Sequence, residues 1–251
     1  MSRMGQHIEI DTTGGRIAAY RADPAGIPRG GIVLISEIWG LVEHIADVAD
    51  RFAAEGYLVV APDILSNAGV TPEIGAELTA ALSSDDDAVR AEAQPRLRDA
   101  FSATSSPEYA EWAVDVLQQV ADYLNAQFDD EGDLAVVGFC FGGTYAWALA
   151  SRDSRIRLAV PFYGIAPTHA NLADIHAPVL AFYGEGDERV TSTVPELAAS
   201  LASTGVDFTS VVYPGVGHAF FNDTNSFTYD ADAANDAWAK TLIALGEKLP
   251  G

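Results

Sequence analysis

The sequence predicts an α/β protein: one domain built on a mostly parallel sheet of about eight strands flanked by helices. Three observations predict it. Short apolar runs alternate with longer segments of helical periodicity. Several runs, such as Gly31–Ser36, Tyr57–Ala61 and Leu134–Phe139, are continuously apolar, as strands covered on both faces must be. Of 251 residues 49% are hydrophobic and 20% charged, enough apolar material to fill one large core.

The elements follow in order. His7–Asp11 and Arg16–Tyr20 flank Thr12-Thr13-Gly14-Gly15 and read as an opening hairpin. After the strand Gly31–Ser36, Ile45, Val48, Ala49 and Phe52 recur at helical spacing and predict a helix over about Val42–Glu55. Gly56 ends it, and the strand Tyr57–Ala61 follows. Residues 62–106 show no strand pattern and are expected to form an irregular or helical insertion over the sheet. Ser105-Ser106-Pro107-Glu108, with a cap and a proline near the first turn, starts a long helix to about Gln127. The strand Leu134–Phe139, helix Phe141–Ser151 and strands Ile156–Pro161 and Val179–Tyr183 come next. A helix over Val194–Ser203, a strand over Phe208–Tyr213 and a closing helix over Ala231–Lys248 complete the domain, 1–251.

Composition narrows the function. With 36 acidic and 14 basic residues the formal net charge is −22, a field that repels phosphate backbones and anionic lipid, so neither nucleic acid nor a membrane surface is an expected partner. No apolar run reaches the 18 or so residues of a membrane helix, and the first residues lack a secretory apolar stretch. A cytoplasmic protein, monomeric or weakly homo-oligomeric, is expected. Cys140 is the only cysteine, so neither an internal disulfide nor a thiolate zinc site is possible, and no two histidines have metal-ligand spacing. No phosphate-cradling G-x-x-x-x-G-K-[S/T] occurs. Asp85-Asp86-Asp87 lacks the ligand spacing of a calcium loop and reads as a solvated turn at a helix start. Neither a metal nor a cofactor is expected.

The informative motif is Gly138-Phe139-Cys140-Phe141-Gly142, which has the form of a nucleophile elbow with cysteine at the serine position. A strand must turn sharply into a helix there, and the glycines remove side chains that would block the turn. The nucleophile then meets a helix N-terminus, which favours a thiolate. The motif directly follows an apolar strand and opens an apolar helix. The plain alternative is that Cys140 is a small buried apolar residue.

Partners stand in order. Gly184-Glu185-Gly186-Asp187 follows one strand and Gly217-His218-Ala219-Phe220 the last. Nucleophile, acid and histidine, each just past a strand, is the α/β-hydrolase order. Of the other histidines, His7 lies on the opening strand, His44 on an exposed helix pattern, and His169 and His176 flank a connecting loop, all consistent with surface or capping roles. Ser36-Glu37-Ile38-Trp39-Gly40, just past the strand Gly31–Ser36, occupies the loop that supplies an oxyanion-hole N–H in this fold. Glu37 is either buried with a partner or a rim carboxylate in water.

These segments, with Ala61-Pro62-Asp63-Ile64-Leu65 and Phe162-Tyr163-Gly164, resemble the dienelactone hydrolase family over nearly the whole chain. The resemblance implies a Cys140–His218–Asp187 triad, a Glu37 that hydrogen-bonds the resting thiol and helps to deprotonate it, and an oxyanion hole from the backbone N–H groups of Ile38 and Phe141. It implies that Trp39 and Tyr163 line the pocket. The family's lactonases hold a substrate carboxylate with two arginines. One position is Asn222 here, and the other falls near Arg96 or Arg98, with Arg98 and Asn222 taken as substrate-binding. With one arm of that clamp missing, hydrolase chemistry carries over while dienelactone itself does not follow. The expected activity is hydrolysis of a lactone or small carboxylic ester through a thioester acyl-enzyme. A hydrolase-fold binding protein without catalysis, and a redox-sensing thiol at Cys140, are the other readings.

Overall fold

The computed structural model describes residues 5–82, 84–128, 133–167 and 171–251. The chain runs through β1 (Gly5–Thr12), β2 (Gly15–Ala22), β3 (Gly31–Ile35), α1 (Glu43–Ala54), β4 (Leu58–Pro62), α2 (Pro72–Leu82), α3 (Asp87–Thr104) and α4 (Pro107–Asn125). It continues through β5 (Leu134–Phe139), α5 (Phe141–Arg152), β6 (Ile156–Phe162), β7 (Val179–Gly184), the single turn α6 (Glu188–Thr191), α7 (Val194–Thr204), β8 (Phe208–Tyr213) and α8 (Ala231–Lys248).

The eight strands form one sheet in the order β1-β2-β4-β3-β5-β6-β7-β8. The β1–β2 and β2–β4 pairs are antiparallel, and every pair from β4 to β8 is parallel. Chain order reverses at β3, which lies between β4 and β5; in open parallel sheets such switch points leave a crevice at the strands' carboxyl ends. Register aligns those ends: Ile35 faces Gly138, Phe139 faces Phe162, and Gly184 faces Tyr213.

Period-two alternation divides the core between the two faces. Val33, Ile35 and Val136 point to one side with α4 and α5. Ile32, Leu34, Ala135, Val137 and Phe139 point to the other with α1 and α8. β3, β4 and β5 are buried throughout, which is why their sequences are unbroken apolar runs. His44 departs from the exposed helix position expected of it: it is 3% exposed and lies 3.3 Å from Asp223. The cause is helix geometry, since residue 44 precedes Val48 and Phe52 by one and two turns and shares their inward face.

Segment 62–106 carries α2 and α3. Asp86 caps α3, its side chain accepting from Ala88 N at 2.8 Å, so the triple aspartate is a helix start. Ser106 caps α4 by accepting from Tyr109 N at 3.0 Å. The segment reaches the carboxyl edge of the sheet through a small apolar cluster of Ile38, Leu65 and Val70, packed by Trp39, Leu97 and Phe141. Gly75 of α2 presses on the loop after β3 so closely that a Cβ there would sit 1.7 Å from the Trp39 carbonyl oxygen.

Candidate active site

The elbow is set by close backbone packing. Cys140 stands between β5 and α5 with φ 53°, a conformation that side-chain-bearing residues rarely adopt. A Cβ on Gly138 would fall 2.0 Å from the Gly142 carbonyl oxygen, and one on Gly142 would fall 2.2 Å from that of Ile35. Any side chain at either place would force the turn open. Gly142 N donates to Ser36 O at 3.0 Å, tying the elbow to the loop after β3. Among the described residues three non-glycine positions have positive φ: Cys140, Tyr163 (40°) and Ala219 (59°). All three border the same crevice, which marks a place where backbone strain is held by the fold.

Asp187 and His218 meet the cysteine there. The His218 Nε2 lies 3.1 Å from Cys140 Sγ, and Nδ1 of the same ring hydrogen-bonds Asp187 Oδ2. Asp187 is nearly buried and the ring is partly open to solvent, their side chains being 9% and 31% exposed. Tyr163, just past β6, faces the ring with centroids 5.0 Å apart.

A second polar cluster centres on Glu37. Glu37 is buried, with Tyr163 Oη donating to its Oε1 at 3.0 Å and Asn222 Nδ2 to its Oε2 at 2.6 Å. Two expectations change here. Glu37 was expected to hydrogen-bond the resting thiol, whereas both of its oxygens are held by these neutral donors and the sulfur's hydrogen-bond partner is His218. Asn222 was expected to contact substrate, whereas its amide is buried and spent on Glu37, with Thr224 closing on its carbonyl oxygen. Leaving a carboxylate in the interior without donors is far more costly than leaving a rim amide in water, so the amide is drawn inward.

The thiol is electrostatically suppressed. Burial, then the Glu37 charge, push the Cys140 pKa up to about 12; the Phe141 N–H and the Arg189 guanidinium pull it the other way. Burial and the Glu37 charge also raise Tyr163 well above the usual phenol range, so its hydroxyl stays a donor. Ile38 lies on the loop with Glu37 and lines the same crevice.

Two cavities open beside Cys140. The larger, about 650 Å³, has Phe141, Tyr145 and Tyr163 on its walls. The smaller, about 350 Å³, is lined by Trp39, His218 and Asp187 among others. Arg189 lines both, and among the described residues no carboxylate lies within ion-pairing distance of it. Sequence reasoning did not single out this arginine, although its place two residues past Asp187 on a strand-end loop was a usable signal. Arg98, by contrast, is exposed on α3 and lines neither cavity, and Arg96 is engaged with Glu77 at 2.6 Å. His7 and His176 are exposed, and His169 lies outside the described residues. Among the described residues no group of three or more His, Cys, Asp or Glu side chains is placed to hold a metal ion, and no helix is long and apolar enough to cross a membrane.

The model of the dienelactone hydrolase family matches residues 17–249. "Protein usf" of Aquifex pyrophilus is 31% identical over 255 residues, spanning 98% of this chain and 100% of that protein. An Escherichia coli K12 protein named "Putative carboxymethylenebutenolidase" is 28% identical over 246 residues, 93% of this chain and 83% of its own length. Among solved structures, a Klebsiella pneumoniae protein described as a "Putative Dienelactone Hydrolase" is similar with a TM-score of 0.80 and 27% identity, over 97% of this chain and 98% of that one. An eight-stranded sheet with a strained cysteine elbow, matched along its length by that family's model, identifies the chain as a member of the dienelactone hydrolase family, a carboxylic ester hydrolase of the α/β-hydrolase fold.

Proposed function

We propose that Cys140, His218 and Asp187 form the catalytic triad and hydrolyse a lactone or small carboxylic ester through a thioester on Cys140. One observation carries the reading: a single imidazole bridges the two ends, Nε2 at 3.1 Å from the sulfur and Nδ1 on Asp187. Asp187 holds the ring in the tautomer whose Nε2 is free to accept, and then stabilises the imidazolium.

In the first half-reaction the thiol proton passes to His218 Nε2 as Sγ bonds the carbonyl carbon. The tetrahedral oxyanion is received by the N–H groups of Phe141 and Ile38, donors of a kind that contribute about 3–4 kcal/mol each. Collapse breaks the carbon–oxygen bond, and the alcohol oxygen takes the proton from His218. Water then adds to the thioester carbonyl, giving a proton to His218. The carbon–sulfur bond breaks and the thiolate recovers that proton, so cysteine and histidine end as they began. Glu37 keeps the thiol neutral between turnovers, when no carbonyl is present to be attacked. A thiol raised to about 12 is the reverse of the low-pKa thiolate on which redox sensing depends, which disfavours that alternative.

Intact-mass measurement with an activated aryl ester tests the proposal. A single acyl adduct on Cys140, absent in Cys140→Ala together with turnover, is the expected result. Full activity in Cys140→Ala, with an unchanged melting curve, overturns it.

A further inference from the structure

We infer that the sulfur stands between an acyl chamber and an alcohol chamber, and that the site is shaped for esters whose acid part is bulkier than their alcohol. The inference rests on the triad proposed above. Cys140 and Arg189 line both cavities, whereas His218 lines only the smaller. The proton that His218 takes from the thiol must be returned to the oxygen that leaves. That oxygen, and the alcohol carbons attached to it, therefore lie on the His218 side. The carbonyl carbon is bonded to sulfur and its oxygen is turned toward Phe141 N and Ile38 N. The one substituent left, the acyl chain, is directed into the opposite cavity.

The two chambers differ in size and in walls. The acyl chamber has about 650 Å³ against about 350 Å³ for the other, and both lie in the range of ligand-binding cavities. Its walls are mixed: Tyr145, Ala110 of α4 and Ile165 after β6 are apolar, whereas Ser106, Thr144 and Arg189 are polar. Its one carboxylate, Glu111, is paired with Arg152 at 2.9 Å and presents little free charge to an apolar chain. The alcohol chamber is lined by Trp39 and by Leu97 of α3, so the segment 62–106 supplies one wall on the leaving-group side.

An isomeric pair of alkyl esters, methyl phenylbutanoate and phenylpropyl acetate, tests the assignment, since the same ring lies on the acid in one and on the alcohol in the other. The expected kcat/KM is higher for methyl phenylbutanoate by about tenfold or more. Ala110→Phe, which fills the acyl chamber, reduces that ratio by about fivefold or more. Leu97→Ala, which enlarges the alcohol chamber, reduces it by raising turnover of phenylpropyl acetate. A ratio at or below one, or one that neither substitution moves, overturns the inference. The two failures are distinguishable. Full turnover by Cys140→Ala removes the nucleophile and, with it, the basis of the chamber assignment. Hydrolysis of neither isomer by a protein whose Cys140 is still acylated by an aryl ester removes the chamber assignment alone.

Discussion

Two carboxylates flank the same sulfur, and the groups that hold them differ. Asp187 is bound to an imidazole that is partly open to solvent, a partner that can take up and release a proton. Glu37 is buried against a tyrosine hydroxyl and a carboxamide, donors that do not change charge in the neutral pH range. One carboxylate is thus paired with a titratable ring and the other with neutral donors. Both raise the thiol, Glu37 more than Asp187, yet only the Asp187 side touches it through a base. A carboxylate's role is thus decided by its partners and not by its distance from the nucleophile alone.

Substitutions on each side sharpen the contrast. The largest effect is expected from Asp187→Asn, which spares the fold and leaves His218 in the wrong tautomer: kcat falls by about 10⁴-fold, measured on an aryl ester at pH 8. Asn222→Ala acts on the Glu37 side, removing one of the two donors to a buried carboxylate. An expected loss of about 2 kcal/mol in denaturant unfolding checks this, with a partial recovery in the Glu37→Gln/Asn222→Ala double variant. An Asn222→Ala protein as stable as wild type would show that Glu37 is not held as described. Glu37→Gln is expected to lower the thiol's pKa, because a negative charge is removed beside it. Iodoacetamide labelling of Cys140 near pH 9 should then be about tenfold faster than in wild type, whose labelling climbs toward a midpoint near 12.

The remaining prediction concerns alkaline stability. The unfolded thiol ionises near pH 8.5, whereas the folded one is raised to about 12, so between these values the unfolded chain binds fewer protons and stability falls as pH rises. Burial raises Tyr145 to about 12 as well, which extends the fall above pH 10. In Cys140→Ser the decline is expected to begin about one pH unit later than in wild type, read from melting temperatures between pH 8 and 11.

Local patterns in the sequence account for much of the fold. The buried runs of β3, β4 and β5, the cap at Ser106 and the α8 boundaries are decided by residues within a few positions of one another. The elbow and the strand-end positions of Asp187 and His218 were legible for the same reason. What was not legible depends on approach through space. Asn222 reads as a loop residue until Glu37, 185 positions earlier, is brought against it. His44 reads as exposed until Asp223 and the inward face of α1 are known. Arg189 is one charge among many until the two cavities are seen to meet at it. In α3 the interior Pro95 and a run of charged and small residues obscured an eighteen-residue helix.

The glycine at position 75 has a mechanical consequence. With no room for even a methyl group between α2 and the Trp39 carbonyl, helix and loop are in direct backbone contact. The contact ties the loop that bears Glu37 to a helix from a distant part of the chain, so a side chain added at residue 75 would displace the loop that lines the crevice beside Cys140.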